Sequence, residues 1–359
     1  MKKKSKVSIQ IKAFLMRFLC SRKRVGVNLD KVESILVLRY DRIGDMVVTT
    51  PLFKALRDRF PEAKISVLAS QSNAKIIENN PNINQVYVFP SSLIKRLLIL
   101  TKLRAEQFSL LVDLEHNLIW HIIFHIRFIN PKWVASSFKF DRYGVNPNSL
   151  GLFTIIAKTR ASVAMAEIYM GIAQALGVLR TDGDLRYQLM CSIKNIAYAS
   201  AVLGDKKSFV VGINLFGSKN GWEIRKEDCA RICKDILTLR PQTKILLFST
   251  PSSFGEISQL VESINLSSIS LLKPTDDVMD AAAVISKLDL LVTPDTSLTH
   301  IACAFDTPLV TVNPKSDAVF ANWKPLHPSG RVKVIFSKYE KSLKGYSYAE
   351  LKRAVENFL

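Results

Sequence analysis

Histidine and cysteine are scarce, at five each in 359 residues, and neither is arranged for metal or redox chemistry. Cys20, Cys191, Cys229, Cys233 and Cys303 form no CxxC pair, which argues against a zinc ribbon, a redox motif or a disulfide framework; free buried thiols in a reducing compartment are expected. His121 and His125 stand at i, i+4, but the glutamate of HExxH is missing and apolar residues lie between them, so they read as core or interface histidines. No uncharged apolar stretch approaches the ~20 residues that span a bilayer. Lys12 and Arg17 interrupt the first apolar stretch and no small-residue cleavage site follows, so a signal peptide is not expected. There is no P-loop, no dinucleotide glycine fingerprint, no low-complexity linker and no internal repeat in the narrow sense. Aromatic–basic interleaving, a zinc pattern and a helix-turn-helix signal are missing too, and nucleic acid is therefore not the expected partner.

What is present is an ordinary globular composition, 48% hydrophobic and 23% charged, on a chain long enough for two domains. The charge is not ordinary. The formal net charge is +19, and no acid occurs before Asp30. Such an excess points to anionic partners: nucleic acid, acidic lipid or phosphorylated substrate. Within residues 1–34, Ile11, Phe14, Leu15, Phe18 and Leu19 follow helical spacing and make one apolar stripe, with lysines and arginines at the ends and on the other face. A basic amphipathic helix of this kind is expected on an anionic membrane surface, through residues 1–30; the plainer alternative is packing on its own protein.

From Ser34 onward strands and helices alternate. Residues 35–38 form a buried strand, 39–45 a polar turn (RYDRIGD) and 46–60 a helix. Strands at 65–69, 86–89 and 110–114 follow, with a short helix at 73–79 and longer ones at 93–103 and 117–128. This alternation predicts a doubly wound α/β domain over 35–190, with Arg39–Asp45, Ser70 and Glu115-His116 facing one crevice. Residues 130–205 carry one clear helix, 163–176, and a turn at 181–183, where the chain is expected to cross between domains. A second α/β domain spans 205–325, with strands at 209–214 and 244–249 and helices at 226–239, 254–264 and 276–287. Residues 326–359 hold a closing strand and a helix, the latter announced by a capping box at Ser347 and Glu350.

The stretch 289–313, DLLVTPDTSLTHIACAFDTPLVTVN, is the sharpest single feature. It reads as strand, polar turn, helix and strand, one βαβ unit of a parallel sheet. Its turn lies where a helix start favours an anion and where open α/β sheets place ligands. Asp295 is expected to cap the helix, Thr296 and Ser297 to add hydroxyls, and His300 sits one turn further in. The loop 215–222, with two glycines and Lys219 after a strand, is a plausible phosphate cradle.

Three stretches together resemble glycosyltransferase family 9, the ADP-heptose:lipopolysaccharide heptosyltransferases and their relatives: ILVLRYDRIGDMVVTTPLFKALRDRFPEAKISVLAS (35–70), VVGINLFGSKNGWEIRKEDCARI (210–232) and LLVTPDTSLTHIACAFDTPLVTV (290–312). The resemblance implies two Rossmann-like domains facing a cleft (the GT-B arrangement), the sugar nucleotide held mainly by the second, and an inverting transfer needing neither metal nor cofactor. It assigns Asp45 as the general base and Lys219 to the leaving phosphates. Thr296 and Ser297 would meet the diphosphate, Asp295 the sugar hydroxyls, and His300 falls in the same donor block; Glu256 is a candidate for the nucleoside. Where the family has glycine after Asp-Thr, this chain has Ser297, which makes a close backbone approach to phosphate harder. Arg39, Arg42 and His116 are candidates for an acidic acceptor. The expected activity is transfer of heptose or a related sugar from an ADP-sugar to a phosphorylated lipopolysaccharide core acceptor, in the cytoplasm, at the inner face of a bacterial inner membrane. The alternatives are another nucleotide-sugar donor or glycan acceptor, or a non-catalytic nucleotide- or nucleic-acid-binding protein.

Overall fold

Apolar runs dominate the strands, as they must when helices cover both faces of a parallel sheet. The computed structural model describes residues 6–23, 25–115, 117–158, 163–179, 185–204, 208–217 and 221–359. Two units divide the chain, Met1–Leu185 and Arg186–Leu359.

The first unit contains α1 (Lys6–Cys20), β1 (Ser34–Arg39), α2 (Ile43–Arg59), β2 (Lys64–Ser70), β3 (Gln85–Phe89), α3 (Leu93–Ala105), β4 (Leu110–Asp113), α4 (Trp120–Ile129), β5 (Trp133–Ser137), β6 (Ile155–Ala157) and α5 (Met165–Ala175). Its sheet is wholly parallel in the order β3-β2-β1-β4-β5-β6. The second unit contains α6 (Ile193–Leu203), β7 (Val210–Asn214), α7 (Lys226–Leu239), β8 (Lys244–Phe248), α8 (Phe254–Ile264), β9 (Ile269–Leu272), α9 (Val278–Ile285), β10 (Leu290–Pro294), α10 (Ser297–Ala304), β11 (Leu309–Asn313), α11 (Asp317–Trp323), β12 (Val332–Phe336) and α12 (Tyr348–Glu356). Its order is β12-β11-β10-β7-β8-β9, the same wiring as the first once each unit's strands are counted from its own start. In both, the strand order reverses beside the first strand, at β1/β4 and at β7/β10, and such switch points are where open α/β sheets bind ligands.

Several expectations are corrected. The helix expected at 46–60 begins at Ile43, so Asp45 lies inside its first turn. The short helix expected at 73–79 is a 3-10 turn over Ala74–Ile77, and the one expected from 117 starts at Trp120. The stretch 130–205 adds β5, β6 and α6 to the one helix expected there, and β9 had no sequence counterpart. The turn at 181–183 lies outside the described residues.

α2 is buried on every side from Met46 to Phe53, and it has a proline inside it. Pro51 has no N–H to offer the carbonyl of Val47. The hydroxyl of Thr50 donates to that carbonyl at 2.7 Å instead. α1 packs inward through Met16 and Cys20, joining the core formed by α3, α4 and one face of the sheet. Beyond it, Ser21 bridges Gly151, Arg22 Nη1 donates to the Pro131 carbonyl, and Trp133 Nε1 donates to the Gly26 carbonyl. Among the described residues no helix is long and apolar enough to cross a membrane.

Candidate functional site

At the carboxyl end of β1 the chain turns sharply into α2 and gathers charge. Arg39, 5% exposed, is the hub. Its guanidinium pairs with Asp41 at 3.0 Å and with Asp45 Oδ1 at 3.1 Å. It also donates to the Tyr169 hydroxyl at 2.6 Å and lies over that ring. The turn is fastened from outside: Asn73 Nδ2 donates to the carbonyl of Arg39 and, at longer range, to those of Asp41 and Arg42. The Ser70 hydroxyl donates to the Asp41 carbonyl at 3.0 Å. Thr49 Oγ1 donates to the Asp45 carbonyl, so the residue bearing the carboxylate is pinned through its main chain. Asp45 keeps its side chain 18% exposed. Burial raises its pKa above the ordinary carboxylate value, opposed by Arg39 and then Arg42. Asp41 is likewise pushed up by burial, to about 6. Of the groups expected at this crevice, Arg39, Arg42, Asp45, Ser70 and Glu115 come together, Glu115 close enough to add to the charge felt by both aspartates. His116 lies outside the described residues.

The end of β4 and the segment that follows β5 supply a second buried pair that the sequence did not suggest. Lys139 and Asp113, both essentially inaccessible, meet at 2.7 Å, and the Lys139 ammonium also donates to the Glu115 carbonyl. Tyr169, Asn73 and Lys139 carried no sequence signal, because each owes its position to a contact with a segment distant along the chain. Asp41 stood in the turn RYDRIGD and was legible there.

In the second unit the turn between β10 and α10 has the expected form with a different cap. Thr296, not Asp295, is the N-cap: its hydroxyl accepts from the Leu298 N–H at 3.1 Å. The Asp295 N–H donates to the Val312 carbonyl, so that residue still continues the sheet and stands one position ahead of the cap. Behind the turn, Asn214 at the end of β7 donates to Thr293 Oγ1, which lies 3.3 Å from Thr296 Oγ1. This chain of hydroxyl and amide groups fixes the turn across the β7/β10 switch point. Thr296 and Ser297 are partly exposed at a helix start, where unpaired N–H groups and the helix dipole favour an anion. His300 is buried between the rings of Tyr187 and Trp323. Burial lowers its pKa to about 4, so the ring is neutral at physiological pH. Its Nδ1 has no hydrogen-bond partner among the described residues.

The loop 215–222 closes on itself through the Gly217 N–H, which donates to the Trp222 carbonyl at 2.5 Å. Lys219 and its two neighbours lie outside the described residues. Glu256, in the first turn of α8, forms an ion pair with Lys226 at 2.5 Å, both half exposed.

Residues 237–351 match glycosyltransferase family 9 (heptosyltransferase). Over 296 residues the chain is 25% identical to lipopolysaccharide heptosyltransferase 3 of Escherichia coli K12, covering 79% of this chain and 82% of that protein. It is 24% identical over 336 residues to lipopolysaccharide heptosyltransferase 2 of Salmonella typhimurium, covering 87% and 91%. Among solved structures, a family 9 glycosyl transferase from Veillonella parvula superposes with a TM-score of 0.74 at 18% identity, over 92% of this chain and 98% of that one. The E. coli heptosyltransferase WaaC with ADP-2-deoxy-2-fluoro heptose gives 0.70 at 14% identity, over 91% and 100%. At those identities the structural likeness speaks for the fold.

Proposed function

We propose, from the premise that the chain is a glycosyltransferase of the family 9 type, that it moves heptose or a related sugar from an ADP-sugar to a phosphorylated lipopolysaccharide core acceptor. The observation that carries this reading is the Asp45 carboxylate, held by Arg39 yet open to solvent, at the switch point of the first sheet. A nucleotide- or nucleic-acid-binding module has no use for such a group. An inverting transfer does: the acceptor hydroxyl gives its proton to Asp45 as its oxygen bonds to the anomeric carbon, and the bond from that carbon to the diphosphate oxygen breaks. Elevation of the Asp45 pKa by burial makes its carboxylate a stronger base than a surface aspartate.

The second unit supports the donor role. Thr296, Ser297 and the start of α10 offer hydroxyls and N–H groups to a diphosphate, and charge that develops on the leaving group is stabilised there. His300, neutral and buried behind the turn, is assigned to the same donor block, where it backs the start of α10. Asp295 is assigned to sugar hydroxyls, Lys219 to the leaving phosphates and Glu256 to the nucleoside. In the first unit, Arg42, exposed beside Asp45, and His116 are assigned to the acceptor's phosphate; Arg39, expected there too, is buried against Asp41, Asp45 and Tyr169 and holds the base instead. Neither metal nor cofactor enters the proposed reaction. The excess of basic residues supports an anionic acceptor in the membrane, reached by a peripheral enzyme on the cytoplasmic face with its N-terminal segment on the lipid.

Two measurements test the reading. Asp45→Asn should lower the transfer rate by about 100-fold or more while leaving ADP affinity unchanged, the usual size of a lost general base. Unchanged turnover would remove the assignment. A thermal-shift panel of ADP, UDP, GDP and CMP, with duplex DNA as control, reads the donor. Selective binding at ~100 times the dissociation constant adds ~2.7 kcal/mol. A response to UDP or GDP alone would keep the enzyme class and change the donor, and a response to DNA alone would overturn the reading.

A further inference from the structure

In the first unit, α1, α4 and α3 lie side by side on one face of the sheet, and their outer surface is apolar where a doubly wound domain is normally polar. On α1, Ile11, Phe14, Leu15 and Phe18 are exposed; on α3, Leu93, Ile94, Leu97 and Leu98. Trp120 and Phe124 of α4 stand between them, exposed as well. Two hollows open on this face. One, about 470 Å³, runs between α1 and α4. The other, about 1030 Å³, lies between α3 and α4, with Leu93, Leu97 and Leu100 on one side and Trp120 and Phe124 on the other. Its floor is aromatic: Tyr40 stacks on Phe89 at 4.9 Å, and the Tyr40 hydroxyl and His125 Nδ1 satisfy each other at 2.9 Å. Burial lowers the His125 pKa to about 4, so the floor carries no charge at neutral pH. Gln71 and Ser72, beside Ser70 of the candidate catalytic turn, border the same hollow.

Charge decides the occupant. None of the three helix sequences, KVSIQIKAFLMRFLC, LIKRLLILTKLRA and WHIIFHIRFI, contains an aspartate or glutamate, while each carries lysine or arginine. Arg96 lies over Phe89 and borders the larger hollow, and Lys12 and Arg142 border the smaller. Two copies of the chain pressed together here would bring like charges into contact, whereas an apolar face with a cationic rim matches the interface of an anionic bilayer.

We propose that the joined outer faces of α1, α3 and α4 dock on an anionic bilayer, and that the α3–α4 hollow takes an acyl chain of an anionic lipid whose headgroup pairs with Arg96. The inference rests on the membrane reading above but extends it from the N-terminal segment to a built pocket. It is independent of the sugar transferred.

The test uses the full chain and vesicles of phosphatidylcholine with and without one quarter phosphatidylglycerol, without donor or acceptor. The chain should sediment with the anionic vesicles only. Lipids brominated on their acyl chains should quench tryptophan emission, and Trp120→Phe should remove that quenching, since Trp133 and Trp222 are buried and Trp323, partly buried, belongs to the other unit. Ile94→Asp and Leu97→Asp, each at an exposed side chain, should each weaken vesicle binding about ten-fold. Leu239→Asp, an exposed apolar position on α7 of the other unit, should not. If Phe14→Asp with Phe18→Asp abolished binding while both α3 variants left it intact, the pocket would be overturned and the N-terminal anchor would stand. If the unaltered chain bound no anionic vesicle, both would fall. A dimer in solution that Leu97→Asp converts to monomer would make the face a contact between copies and overturn the proposal.

Discussion

Arg39 holds two carboxylates and a phenol in a space with little water, so its removal acts on chemistry and stability together. Arg39→Met leaves Asp41 and Asp45 without their shared counter-charge. Breaking a buried pair in this way typically costs about 3–5 kcal/mol, and the partial exposure of Asp45 and the greater exposure of Asp41 place the expected loss at the lower end, about 3 kcal/mol. A denaturant titration reads it. The same substitution has a kinetic sign. Arg39 lowers the pKa of both aspartates against the effect of burial, and without it both rise further. A base must be deprotonated to act, so the acidic limb of the kcat/KM profile should move to higher pH; a limb that stayed put would mean that neither aspartate is the base.

At the level of elements, α2 shows how a helix tolerates proline where the site needs rigidity. Thr50→Val removes the hydroxyl that serves the Val47 carbonyl and should cost about 1–3 kcal/mol for a buried acceptor left unpaired. Pro51→Ala restores a main-chain N–H at the right place. The pair Thr50→Val with Pro51→Ala should therefore be more stable than Thr50→Val alone, and a double-mutant cycle with no coupling would refute the arrangement. This compensation cannot be read as such from the sequence TTP, although the helix itself was evident. The same limit explains the other omissions. β5 is WVASS, short and ending in two serines, buried only because its neighbours cover it. β6 has three residues, and β9 is a partly exposed edge. α6 opens with a capping box whose third residue is Asn195 rather than Glu or Gln, and Asn195 also donates to Asp277 and Asp280. By contrast, α7 and α8, with apolar residues in step with the helical turn, have the bounds expected of them. The turns that carry Asp45 and Thr296 were legible because strand, polar turn and helix start are local features. What packs behind them was not.

For the molecule as a whole, two buried histidines, one in each unit, set the response to acid. His125 and His300 both have pKa values lowered to about 4, against 6.5 when unfolded. The unfolded chain thus binds protons first as pH falls, and their contribution favours the folded state above 6.5 and is lost progressively down to about 4. Asp41 works the other way: its folded pKa of about 6 lets the native state take a proton before the unfolded chain does, which favours folding as pH falls from about 6 towards 3.8. Asp45, raised in the same direction, adds to Asp41, and His121, lowered by burial, adds to the histidines; the deeper burial of His125 and His300 decides the balance, so the melting temperature should drop between pH 6.5 and 4.5. His300→Gln, which cannot ionise, should flatten that slope whatever it does to absolute stability; an unchanged slope would place the acid sensitivity elsewhere.

Asn73 has a further consequence. Its amide clasps the carbonyls of Arg39, Asp41 and Arg42 from the segment that follows β2, while its own oxygen accepts the Ser70 N–H. The shape of RYDRIGD is therefore imposed from the neighbouring crossover. Transplanted into another parallel sheet, the heptapeptide would bring its charges but not their arrangement, and only a graft running from β1 through Asn73 would be portable.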